Sequence, residues 1–142
     1  MGSRVHLGIV ASIALSVAAC SGGTAAAPAK AVNITVSEFK IAADAIKVAA
    51  GDVSFTIKND GKATHEFVVV RTDLAPEALP KNADGEVTEG GPLTAVDEVE
   101  NIAPGTSKTL TVTLAPGKYA VFCNLPGHYA GGMHSGFDVV AG

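Results

Sequence analysis

Thr109-Leu110-Thr111-Val112-Thr113-Leu114, closed by Ala115-Pro116-Gly117-Lys118, decides the fold class of this chain. Apolar and hydroxylated side chains alternate with a period of two, the spacing at which a pleated strand sends neighbours to opposite faces. Working outward, the same period recurs at Ile34 and Val36 and at Val53, Phe55 and Ile57. Ala50-Gly51-Asp52, Asn59-Asp60-Gly61 and Ala103-Pro104-Gly105 carry the residue types that tight turns require, so they punctuate these strands. Phe67–Val70 and Tyr119–Cys123 are apolar without alternation and read as central strands covered on both faces. Between them, residues 71–100 form an excursion with Pro76, Pro80 and Pro92, one short helical turn near 75–79, and a solvated face made of Asp84, Glu86, Glu89, Asp97, Glu98 and Glu100. No long helix-period pattern follows residue 31. The expectation is an all-β fold, a Greek-key antiparallel β-sandwich of seven to eight strands.

The N-terminus does not share this pattern. Arg4 precedes an apolar run from Leu7 to Ala19 that is too short for a membrane span and fits a signal-peptide core. Val17-Ala18-Ala19-Cys20 resembles the lipobox of bacterial lipoproteins, which makes residues 1–19 the cleaved leader and Cys20 the lipidation site. Residues 20–31 are then a flexible Ala/Gly linker, and residues 32–142 the folded domain. The expected location is outside the cytoplasm, lipid-anchored to the cell membrane and facing the periplasm or the exterior.

The 142 residues are 47% hydrophobic and 17% charged, with 14 acids against 10 bases for a net charge of −4. No basic surface exists to neutralise phosphates, so a nucleic-acid partner is excluded. Cys20 and Cys123 are too few for a disulfide scaffold. With Cys20 acylated, Cys123 has no partner thiol, so it is either a buried hydrophobe or a chemical group.

The domain carries His65, His128 and His134, Cys123 and Met133. The run Cys123-Asn124-Leu125-Pro126-Gly127-His128-Tyr129-Ala130-Gly131-Gly132-Met133 sets a thiol, an imidazole and a thioether at intervals of five. It begins where one strand ends and stops where the last begins, and its Pro-Gly and Gly-Gly pairs permit the bends needed to wrap one ion. A further donor must come from elsewhere in the sandwich, and His65, at the start of the Phe67–Val70 strand, is the good candidate. Two imidazoles and a thiolate with a weak thioether suit one copper ion cycling between Cu(I) and Cu(II). Taken singly, a buried Cys, a His at a strand start and a Met are all more often structural; the spacing of the set argues for metal. His134 neighbours Met133 on a strand, so it faces away and stays outside the ligand set.

The Cys-x4-His-x4-Met loop, the upstream His65 and the Pro-Gly-Lys-Tyr turn into the Cys strand together resemble the type 1 (blue) copper proteins of the plastocyanin/azurin family, the cupredoxins, over residues 32–142. The resemblance implies His65, Cys123 and His128 as equatorial ligands and Met133 as the axial one. It also implies an electron port at the exposed edge of His128, in an apolar patch for which Leu125, Pro126, Tyr129 and Ala130 are available. Two positions depart from better-known members: Glu66 after the first His, often Asn, and Asn124 after the Cys, often Ser or Thr. Both belong to the residues that orient ligands, so their effect falls on the reduction potential.

The implied function is a monomeric, membrane-tethered one-electron carrier rather than an enzyme, working between redox proteins such as a cytochrome, a reductase or an oxidase. A multicopper oxidase would place His beside the Cys, where Phe122 and Asn124 stand, and a binuclear centre would need Cys where Gly127 stands. A copper-trafficking or storage module is the alternative, with the same ligands but faster exchange. A metal-free adhesion domain of immunoglobulin type explains the sandwich and leaves the Cys-His-Met spacing as coincidence. Asn33-Ile34-Thr35 matches a glycosylation acceptor but carries little meaning in a bacterial lipoprotein.

Overall fold

The computed structural model describes Gly2 and residues 27–142. The apolar leader run and Cys20 lie outside the described residues. The strands are β1 (Ala31–Ser37), β2 (Lys40–Ala43), β3 (Lys47–Ala49), β4 (Gly51–Asn59), β5 (His65–Arg71), β6 (Thr94–Ile102), β7 (Ser107–Leu114), β8 (Gly117–Phe122) and β9 (His134–Val140). One sheet has the order β2-β1-β4-β7 and the other β3-β9-β8-β5-β6.

The period-two segments supply the inner faces. In β1, Val32, Ile34 and Val36 are buried while their neighbours are exposed, and in β7 Leu110, Val112 and Leu114 point inward with Thr109, Thr111 and Thr113 outside. Across the sandwich they meet Phe67, Val69, Val121, Phe137 and Val139. Each fully buried side chain of this size contributes about 1.5–3 kcal/mol. Phe55 sits at the centre, its ring 5.6 Å from that of Phe67 and 5.5 Å from that of Phe137.

β5 and β8 are covered on both faces, as their unbroken apolar sequence requires. Their second face, Val68, Val70, Ala120 and Phe122, packs against Leu79, Val87, Leu93 and Tyr129. Residues 71–100 are therefore not a bare excursion. They contain a 3-10 turn at Pro76–Ala78, a strap that lays Leu79, Val87 and Leu93 over the sheet, and then β6. β6 escaped the sequence reading because it is an edge strand, exposed along most of both faces, with two register shifts against β5. No alternation can record a face that is not buried.

The fold is a β-sandwich as expected, with two differences from a purely antiparallel one of seven to eight strands. The described residues form nine strands, because β2 and β3 are short segments of four and three residues. Two strand pairings among the described residues are parallel, β1 with β4 and β3 with β9. Pairing also begins before residue 32, since Ala29 bridges Val48. Asn33 is committed internally, donating from its backbone N–H and its side-chain amide to the Asp44 carboxylate at 2.9 and 2.7 Å.

Candidate metal centre

Three segments converge at one end of the sandwich. The first is the turn between β4 and β5. Buried Asn59 donates from its amide to the Ala63 and Ile102 carbonyls, both at 2.8 Å, and accepts the Gly61 N–H at 2.8 Å. This ties the turn to β6, so His65 enters β5 at a fixed height, opposite Ile102.

The second is the segment from Cys123 to Met133, between β8 and β9. The Cys123 N–H donates to the Met133 carbonyl at 3.1 Å and the Met133 N–H to the His128 carbonyl at 3.1 Å, so the ends of the loop are tied to each other and to its middle. His128 N–H closes a turn on the Leu125 carbonyl at 2.9 Å, and Gly127 occupies φ 76°, a conformation that a side chain would strain.

His65 and Cys123 are buried and His128 is half-buried, with one donor atom from each lying within 4.8 Å of the others. His65 Nδ1 and His128 Nδ1 face one another across 3.3 Å, and His128 Nδ1 is also 3.3 Å from Cys123 Sγ. Lone pairs that converge on one point repel unless a shared proton or a metal ion takes them. Separations of this size are what bonds of about 2.0–2.3 Å to a single ion produce. The mixture of thiol and imidazole donors fits one copper ion.

Electrostatics agree. Burial, and then the neighbouring His128, push the His65 pKa down, which keeps the ring neutral and able to donate. Burial pushes the Cys123 thiol up, while the Glu66 and Leu125 N–H groups pull the other way. The Glu66 N–H lies 3.4 Å from Cys123 Sγ. Metal binding must therefore displace the thiol proton.

Met133 is fully buried, its backbone joined to that of Cys123. His134 stands outside the three-donor group, its ring 5.1 Å from that of Tyr129. Glu66 contributes its N–H to the sulfur, while burial and the nearby acids Glu98, Glu100 and Glu86 push its carboxyl pKa up. The Asn124 amide turns away from the donors and clasps the strap: its Oδ1 accepts the Val87 N–H at 2.6 Å and its Nδ2 donates to the Val87 carbonyl at 3.1 Å.

The surface around His128 differs in one residue from the patch read in the sequence. Pro126 and Ala130 are exposed and Leu125 half-buried, but Tyr129 is only 2% exposed. The Tyr129 hydroxyl takes the Leu79 N–H at 2.9 Å and donates to the Pro76 carbonyl at 2.7 Å, so it anchors the loop to the strap. The surface aromatic is Phe39 instead, 55% exposed, its ring set edge-on to His128 with centroids 6.1 Å apart.

The third segment, the β1–β2 turn with Glu38 and Phe39, was missed in the sequence. Phe39 sits at φ 61°, where a bulky residue is rare, so nothing in its identity marks a turn. Glu38 Oε1 accepts the Lys62 and Ala63 N–H groups at 2.6 and 2.8 Å and stands 3.5 Å from His65 Nε2. The Ala63 and Lys62 amides pull its carboxyl pKa down to about 2.

A family model described as a cupredoxin-like domain matches residues 8–133. The copper-resistant cuproprotein CopI of Pseudomonas aeruginosa is 27% identical over 137 residues, covering 77% of this chain and 75% of that protein. The dithionite-reduced auracyanin of Roseiflexus castenholzii superposes with a TM-score of 0.59 at 25% identity, over 80% of this chain and 99% of that one. The azurin Az-iso2 of Methylomonas sp. strain J shares the fold, with a TM-score of 0.55 at 19% identity over 78% of this chain and 97% of that one.

Proposed function

This chain belongs to the cupredoxin-like domain family, and from that premise we propose that it is a one-electron carrier and not an enzyme. His65, Cys123 and His128 would hold the copper ion, with the buried Met133 at the end of the same loop as a further, weaker donor. Copper in such a set exchanges one electron between Cu(I) and Cu(II). One observation carries the reading: of the three converging donors, two are sealed from solvent and only His128 reaches the surface. Buried His65 and Cys123 exclude water and fix the donor positions, while the His128 edge, beside Phe39 and Pro126, offers a contact for a partner. Donors held by the strands and by backbone ties need little rearrangement between oxidation states.

The proposal extends to location. A lipidated Cys20 would anchor the domain to the cell membrane, on the periplasmic or outer side. β1 pairs Ala31 with Ser54 near the start of β4 and Val36 with Asn59 at its end, so the chain enters at the pole opposite the donors. An anchor reached from that pole would leave the copper end free to meet a redox partner such as a cytochrome, reductase or oxidase.

Copper handling is the second reading, favoured by the likeness to a copper-resistant cuproprotein. An absorption spectrum of the full chain after Cu(II) and then ascorbate tests the first. An intense band near about 600 nm that bleaches on reduction is the expected result for a copper–thiolate bond. Tight binding without that band, or rapid loss of the metal to a Cu(I) chelator, would move the function to handling.

The partner is proposed to be basic. Glu66, Glu86, Glu89, Asp97, Glu98 and Glu100 are near enough to influence one another, and burial with Glu100, Glu89 and Asp97 pushes the Glu98 carboxyl pKa up. Reversing Glu86, Glu89 and Glu98 to Lys should slow electron transfer from a basic cytochrome by about tenfold or more at low salt, an effect fading as salt rises. Stopped-flow rates across ionic strength measure it, and an unchanged low-salt rate removes the acidic face as the docking surface.

A further inference from the structure

His65 Nε2 is completely buried and has no hydrogen-bond partner among the described residues, although its ring sits where a metal would take Nδ1. A neutral imidazole that gives one nitrogen to a metal carries its proton on the other, so Nε2 must be an N–H donor with nowhere else to go. Among the described residues the one carboxylate paired with it is Glu38, with Oε1 at 3.5 Å.

Three features make this more than a passing contact. The Glu38 oxygen is held in place by the Lys62 and Ala63 N–H groups, which belong to the turn leading into His65. The turn leaves room for it, since a Cβ at Gly61 would come within 2.6 Å of Glu38 Oε1. The next residue, Phe39, lies against the other side of the centre, beside His128 and over Gly131. One hairpin turn thus touches both imidazoles.

We propose that Glu38 is a positioning residue for the copper centre: its carboxylate fixes His65 with the proton on Nε2 and Nδ1 free for the metal, and its charge favours Cu(II) over Cu(I). The inference rests on the copper reading given above. A carboxylate facing the far N–H of a ligand imidazole orients the ring and raises its basicity, and such partners change metal affinity about 10- to 100-fold. A more basic imidazole with a negative charge behind it stabilises the more highly charged ion, so loss of Glu38 raises the reduction potential. Glu66 and Asn124, the two departures noted in the sequence, act elsewhere, on the sulfur and on the strap.

The test uses the full chain as wild type, Glu38→Gln and Gly61→Ala. Glu38→Gln removes the charge and keeps an oxygen able to accept the two turn amides. Gly61→Ala keeps the charge and pushes the carboxylate away. Both variants should retain the copper–thiolate band and shift the Cu(II)/Cu(I) balance towards Cu(I), by about tenfold in Glu38→Gln, which is about 59 mV for one electron. Nitrogen-15 spectra of the Cu(I) wild type should show His65 protonated at Nε2. A Cu(II)/Cu(I) balance unchanged within about twofold in both variants, with the band intact, would overturn the role of Glu38. If Glu38→Gln does not fold, Gly61→Ala alone decides by the same criterion. Absence of the band in the wild type would instead overturn the copper–thiolate reading, and this inference with it.

Discussion

Cys123→Ser is expected to abolish the copper–thiolate absorption completely and to weaken copper binding by at least about tenfold. The thiol is fully buried at the end of β8 and receives the Glu66 N–H. On losing its proton it becomes the soft anionic donor that the two imidazoles cannot replace. A serine hydroxyl fits the space but does not ionise at ordinary pH, so the site would keep two nitrogens and lose the charge. The fold should survive, because the substitution is nearly isosteric and costs about 1–3 kcal/mol for the buried hydroxyl. Met133→Leu is the informative contrast: with Met133 as the proposed weak donor, coloured copper should be retained and the potential should rise, since its sulfur is replaced by an apolar group of similar volume. Visible spectra and redox titration of the two variants make the measurement. Full colour in Cys123→Ser would remove Cys123 from the ligand set.

Tyr129→Ala is expected to cost about 3–5 kcal/mol of stability, the largest loss proposed for any residue outside the central core. Its ring fills the space between Phe122, 5.9 Å away edge-on, and His134, with Lys81 Nζ 5.6 Å above it. Its hydroxyl is bonded to two backbone groups of the strap. Truncation would open a cavity under the metal loop, release one donor and one acceptor, and uncouple residues 72–93 from the sheet. Tyr129→Phe separates these effects, because leaving the Leu79 N–H unpaired costs about 1–3 kcal/mol while the ring stays. Urea denaturation of the metal-free proteins reads both. A loss below about 1 kcal/mol in Tyr129→Ala would show that the strap does not hold the loop.

The two expectations differ in how far they could be read from the amino acids. Cys123, His128 and Met133 were legible as a candidate set because they share one short loop, where spacing in sequence nearly equals spacing in space. His65 was legible only as a lone imidazole at the head of an apolar strand. Tyr129 was misread as a surface aromatic, because no local pattern distinguishes a loop side chain that faces a partner from one that faces a strap folded over it. The clasp of Asn124 on Val87 and the approach of Glu38 to His65 join residues far apart in the chain. Neither leaves a periodic trace.

What the amino-acid order determined by itself is local: the period-two strands, the turns that end them, the double-faced burial of Phe67–Val70 and the intervals of the metal loop. Each follows from backbone geometry over a few residues, where side-chain direction repeats with a known period. The tertiary structure alone decided the parallel pairing of β1 with β4, the edge strand β6, the strap under Tyr129 and the carboxylate behind His65. These depend on which strands become neighbours and in what register, and that is settled by how two sheets share one apolar interior rather than by any single stretch of chain.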